Sequence, residues 1–150
     1  MAVDFGDLNY CAPPTPAHQE HAAQLYGRIG EGVIVPRVQM AVDGWQPLPN
    51  KCHENAHILA EKIAGYRAVT GWLLFEFERA FTYVRFAAHS VVENEAGELF
   101  DITPPPAENP GAALYPFIRS KLSHDDFHSA VYVLTEMYGA ANLDYGYRPA

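Results

Sequence analysis

Basic residues are scarce in this chain: ten Lys and Arg stand against eighteen Asp and Glu, for a formal net charge of −8. No basic run and no Arg-rich segment with interleaved aromatics is present, which argues against nucleic acid or an anionic membrane surface as a partner. Long apolar runs are missing as well. Segments such as Trp72–Phe75 fall far short of the roughly 18 apolar residues of a membrane span. The opening MAVDFGDLNYCAPPTP carries acid where a signal peptide needs positive charge, and it lacks an apolar core segment. These features predict a cytoplasmic protein. Cysteine is limited to Cys11 and Cys52. Two free thiols in a reducing compartment are the expected state.

What is present suits one globular domain spanning residues 1–150. Hydrophobic residues make up 49% and charged residues 19%, ordinary for a folded chain that needs no disulfide or metal to hold a core. Residues 1–16, rich in proline and small side chains, read as an extended arm. A short helix is predicted over Ala17–Ile29, stopped by Gly30 and Gly32. Val33–Val42 is β-rich, but Pro36 makes it an edge or interrupted strand. Asn50 is the predicted N-cap of a helix running through CHENAHILAEKIA to Gly65. At about 100° per residue, Cys52, Ala56, Leu59, Ala60 and Ile63 share one face, with His53, Glu54, His57 and Glu61 on the polar side. Strands are predicted at Tyr66–Phe77, Phe81–Glu93 and Leu99–Thr103, the last closed by Pro104–Pro106. A turn at Asn94–Gly97 joins the second to the third. Leu114–Arg119 is a further short strand. A final helix is predicted over 123–139, opened by Ser123 with Asp126 and turning Phe127, Val131 and Leu134 inward. Three neighbouring strands on short links, with helices packed on them, make an antiparallel α+β fold, its catalytic core at about 45–104.

Three residues in that order carry a chemical pattern. Cys52 falls in the first turn of a helix, where unpaired N–H groups and the positive dipole end favour thiolate. His89 lies mid-strand between small residues, Ala87, Ala88 and Ser90. Asp101 interrupts an apolar strand, LFDIT, where carboxylates are depleted. The midpoint of His89 and Asp101 is residue 95, inside the NEAG turn. A hairpin turning there sets the two side chains opposite or nearly so, about 5 Å apart at Cβ. A carboxylate beside an imidazole fixes its tautomer and supports its positive charge. Nucleophile, base and orienter are thus supplied in chain order.

These segments also carry a resemblance. Cys-x-x-x-Ala on a helix, Gly-Tyr-Arg-Ala-Val-Thr-Gly-Trp, His-Ser-Val-Val-Glu and Gly-Glu-Leu-Phe-Asp-Ile-Thr-Pro together resemble the transglutaminase-like core of the papain-like superfamily, over Asn50–Pro104. A similar Lys-Cys-His-x-Asn start and Asp-Ile-Thr-Pro end occur in short bacterial and phage-type proteins of unassigned function. The resemblance implies a papain-like fold with Cys52, His89 and Asp101 as catalytic triad. The chain departs from it in a short His-to-Asp interval, and in Ser90 where an aromatic residue often follows the histidine. Gln46 stands six residues before Cys52, the interval at which papain-like proteases place an oxyanion-hole glutamine, and Trp45 is a second pocket candidate.

The function so implied is cysteine-dependent acyl transfer through a thioester, by a peptidase, amidase, deamidase or transglutaminase-like enzyme. Its substrate would be a peptide, a protein or a small amide or ester, and no cofactor is required. A rival motif overlaps the same helix: His53-Glu54-Asn55-Ala56-His57 matches H-E-x-x-H, in which His53 and His57 would bind zinc and Glu54 would activate water. A third alternative is a binding module that keeps the fold without the chemistry.

Overall fold

The computed structural model describes residues 16–76, 83–131 and 136–140. Helix α1 (Pro16–Tyr26) is followed by a short 3-10 turn at Ile29–Glu31 and, later, by α2 (Cys52–Lys62). Then come β1 (Arg67–Glu76), β2 (Tyr83–Glu93), β3 (Leu99–Phe100), β4 (Phe117–Arg119), α3 (His124–Val131) and β5 (Glu136–Ala140). The architecture is α+β around one antiparallel sheet of order β3-β2-β1-β4, with β5 also pairing β2.

The long β1–β2 ladder pairs Arg67 with Glu93 and Glu76 with Val84, placing Gly71 opposite His89. The other edge of β2 is shared. β5 pairs Tyr83–Ala87, β3 pairs Val92 and Glu93, and His89 falls in the interval between them. Side chains alternate across the strands, so each face of the ladder has its own core. One face packs Trp72, Leu74 and Phe86 with Ile118, Leu25 of α1 and Phe127 of α3. Further along, Val92 packs Ala56 and Leu59 of α2 with Ile102. The other face gathers Val69 and Val91 with Val35 and Phe117. Gly71 is there for space: a Cβ on it would run into the Ile118 carbonyl oxygen and lie 2.6 Å from the Phe117 ring. At that position the Phe117 ring lies close to the strand, where it also meets the edge of the His89 ring at 6.5 Å between centroids.

Several expectations are corrected. Asn50 is not the N-cap. It takes a left-handed φ of +62°, which asparagine tolerates well, and the cap position passes to Lys51 without a side-chain hydrogen bond. Cys52 therefore opens α2 as its first residue. The helix ends at Lys62, because Ile63 turns extended and Gly65 follows at φ +90°.

The predicted helix over 123–139 is two elements. Ser123 Oγ does accept the Asp126 N–H, but α3 stops at Val131 and Glu136–Ala140 is strand β5. Pairing with the distant β2 edge outweighs local helical periodicity there. Phe127 is buried as expected, while the arm at 1–15 and Leu134 lie outside the described residues. Val33–Val42 is interrupted indeed, holding only isolated bridges, Val33 to Phe117 and Arg37 to Asp101 among them. No helix among the described residues is long and apolar enough to cross a membrane.

Candidate active site

Asp101 is held before it is used. Its N–H donates to the Pro36 carbonyl at 2.8 Å and its carbonyl accepts the Val38 N–H at 2.9 Å, so the backbone is stitched to the 36–38 segment beyond the end of β3. One carboxylate oxygen, Oδ1, accepts the N–H of Thr103 at 3.1 Å. The other, Oδ2, lies 2.8 Å from His89 Nε2. Both side chains are largely buried, 13% exposed for His89 and 10% for Asp101. The hairpin does bring the pair together, with one adjustment. Val92 pairs Phe100 and Glu93 pairs Leu99, which centres the turn on residue 96 and makes His89 and Asp101 diagonal neighbours on one face. The turn itself is built by Asn94, whose Oδ1 accepts the N–H groups of Ala96 and Glu98.

With Nε2 engaged by Asp101, His89 has Nδ1 left for a second partner. Beside it stands the Cys52 thiol, and the two side chains shift each other's ionisation. Burial is the largest influence on Cys52 and opposes its ionisation. Hydrogen bonds from His53 and His89, with the positive field of both rings, outweigh burial and bring the thiol from 9.0 down to about 6. Burial likewise opposes charge on His89. The hydrogen bonds to Asp101 and Cys52, with their negative fields, overcome it and raise the imidazole from 6.5 to about 10. The two shifts describe one coupled pair, thiolate with imidazolium, whose charges stabilise each other. A thiolate beside an imidazolium is the reactive form of a nucleophilic cysteine.

Two residues escape sequence reasoning. His53 does not face solvent. Its Nδ1 lies 2.6 Å from Oγ of the buried Ser90, its ring meets Phe127 at 5.8 Å between centroids, and it is one of the two imidazoles that lower the Cys52 thiol. Phe127 of α3 covers His53, while Glu54, His57 and Glu61 stay exposed as the periodicity implies, so the polar face is narrower by that one residue. Asn55 is buried, 2% exposed. Its Nδ2 donates to the Leu48 carbonyl at 2.8 Å and to Thr103 Oγ1 at 2.9 Å, and its Oδ1 accepts the Leu48 N–H at 3.1 Å. It thereby ties the loop before Cys52 and the segment after Asp101 to one helix. A polar residue within an apolar helical face was the available signal.

The remaining candidates go elsewhere. Gln46 is exposed on its loop. Trp45 is half-buried against the Ala56, Leu59, Val92 and Ile102 cluster. Glu54 is exposed and paired with Lys51 at 3.9 Å. His57 Nε2 lies 3.1 Å from His124 Nε2 of α3, while His53 points to Ser90, so the two histidines of H-E-x-x-H serve different neighbours. Among the described residues no group of three or more His, Cys, Asp or Glu is arranged to hold a metal ion. Away from the site, buried Glu93 accepts hydrogen bonds from Arg67 at 2.6 Å and Arg119 at 2.7 Å, tying β2 to β1 and to β4 beyond it. Comparison with protein-family models, with curated proteins and with solved structures finds no match to this chain.

Proposed function

We propose that the protein is a cysteine-dependent acyl-transfer enzyme of papain-like or transglutaminase-like type, with Cys52 as nucleophile, His89 as base and acid, and Asp101 as orienter. The observation that carries this reading is the division of labour on the His89 ring. Asp101 holds Nε2 at 2.8 Å, and the same ring acts on the thiol of Cys52, the first residue of a helix. In the resting enzyme the thiol proton resides on His89. The Cys52 thiolate attacks a carbonyl carbon, forming the Sγ–C bond while the carbonyl π electrons move to oxygen. When the tetrahedral species collapses, the bond to the leaving amine or alcohol breaks and His89 supplies its proton, leaving a thioester. Water or an amine, deprotonated by His89, then resolves the acyl-enzyme.

The test is acylation by p-nitrophenyl acetate, followed by intact mass. One acetyl group on Cys52, released by hydroxylamine and absent in Cys52→Ala, supports the proposal. Protein that stays unmodified at Cys52 under conditions where iodoacetamide labels it contradicts acyl transfer.

A further inference from the structure

One short chain of hydrogen bonds runs from the helix that carries the nucleophile to the carboxylate that orients the base. Asn55 stands one turn after Cys52 on α2, a spacing that puts their Cβ atoms about 5–6 Å apart. Its N–H closes that turn on the Lys51 carbonyl at 2.8 Å. Its buried amide has one workable orientation. Leu48 presents an N–H at 3.1 Å and a carbonyl at 2.8 Å, so Oδ1 faces the first and Nδ2 the second. The other hydrogen of Nδ2 is then directed to Thr103 Oγ1 at 2.9 Å. Thr103 in turn sets its backbone N–H on Asp101 Oδ1 at 3.1 Å, and Asp101 Oδ2 meets His89 Nε2 at 2.8 Å.

Resting on the acyl-transfer reading above, we propose that Asn55 and Thr103 are positioning residues for the reaction. Asn55 holds Thr103, Thr103 holds the Asp101 carboxylate, and the helix of the nucleophile thereby sets the aim of the group that orients the base. The terminal torsion of a carboxylate is soft, so Oδ2 keeps its direction only while Oδ1 is held. Residue 103 follows the end of β3 at Phe100, and Pro104 after it has no N–H with which to anchor the segment. The side-chain bond from Thr103 to α2 supplies that anchor. Neither residue touches the reacting atoms, and no proton passes along the chain. Its use is geometric: one imidazole must take a proton from sulfur and later deliver it to the leaving group, so the ring has to keep its place through both steps.

The test compares Thr103→Val and Thr103→Ser with the parent in a Cys11→Ala background. Valine keeps the shape, the backbone N–H on Asp101 and the extended preference required before proline, so it isolates the hydroxyl. Two quantities are read on protein shown to be folded by circular dichroism: the rate constant for acetylation of Cys52 by p-nitrophenyl acetate, and the titration of the His89 imidazole by NMR. Thr103→Val lowers the rate constant by about 10-fold, less than the roughly 10²-fold that a misplacement of about 1 Å produces. It also moves the His89 titration down from about 10, because the bond from Asp101 is less well aimed. Thr103→Ser restores both. Asn55→Ala acts in the same direction, and adding Thr103→Val to it costs little more, as for members of one network. Where Asn55→Ala fails to fold, the Thr103 pair alone decides. A Thr103→Val protein that melts earlier but acylates and titrates like the parent overturns the assignment, as does a serine variant no better than valine. A parent protein that is alkylated by iodoacetamide at Cys52 but never acylated overturns the acyl-transfer reading itself, and this assignment with it.

Discussion

His89→Ala removes from Cys52 a hydrogen bond and a positive field while leaving the burial that opposes its ionisation. The thiol, held at about 6 in the native protein, then returns toward 9.0. At pH 6 the thiolate fraction drops from about one half to about one in a thousand, roughly 500-fold. Intrinsic nucleophilicity works the other way: over three units, at a Brønsted slope of about 0.4–0.5, the more basic thiolate is about 15- to 30-fold more reactive. The net result is an iodoacetamide rate at pH 6 lower by roughly 20-fold. The difference shrinks as pH rises and is gone, or reversed, near 9. The assay is the rate of carbamidomethylation by intact mass across that range, in a Cys11→Ala background where Cys52 is the sole cysteine. A native profile that rises only near pH 9, or a His89→Ala profile that overlays the native one, refutes the coupled pair.

Other perturbations follow from the same geometry. Asp101→Asn keeps the shape but removes the charge facing His89 Nε2, so the imidazole titration, followed by NMR, moves down from about 10 toward 6.5. Asn55→Ala strands buried partners at Leu48 and Thr103, and a destabilisation of about 2–4 kcal/mol is expected in urea melts. Gly71→Ala drives a methyl group into the Ile118 carbonyl and the Phe117 ring; thermal denaturation should show a loss of about 1–3 kcal/mol, with a shifted His89 resonance because Phe117 borders that ring. Glu93 is held below its usual 4.5 chiefly by the Arg119 hydrogen bond, against a smaller opposing effect of burial. Its contribution to stability is therefore complete above 4.5 and is lost as pH falls through the lowered native value. Glu93→Gln should flatten that part of a stability-versus-pH curve.

The portion of the site that chain order and local arithmetic govern was legible from the residues. Asp101 in an apolar strand, twelve residues after His89 across a turn, is a short-range geometric statement, and the observed register moves its centre by only one residue. Cys52 at the helix start was equally local, although the capping residue was misjudged because the left-handed turn at Asn50 leaves no distinctive pattern. What was illegible depends on contacts between distant segments. His53 turns inward because Phe127, far along the chain, covers it. Asn55 is buried because Leu48 and Thr103 satisfy its amide. The stretch 136–140 is a strand because β2 offers an edge to it, and no periodicity within five residues reports that.

The central claim is a thiolate–imidazolium pair at Cys52 and His89, and its direct measure is the ultraviolet absorbance of the thiolate as a function of pH. The difference is taken between the Cys11→Ala protein and the same protein lacking Cys52. The account predicts thiolate absorbance already present at neutral pH and disappearing as pH falls through about 6, with His89 charged over the same range. Absorbance that is absent at neutral pH and appears only as pH approaches 9 contradicts it.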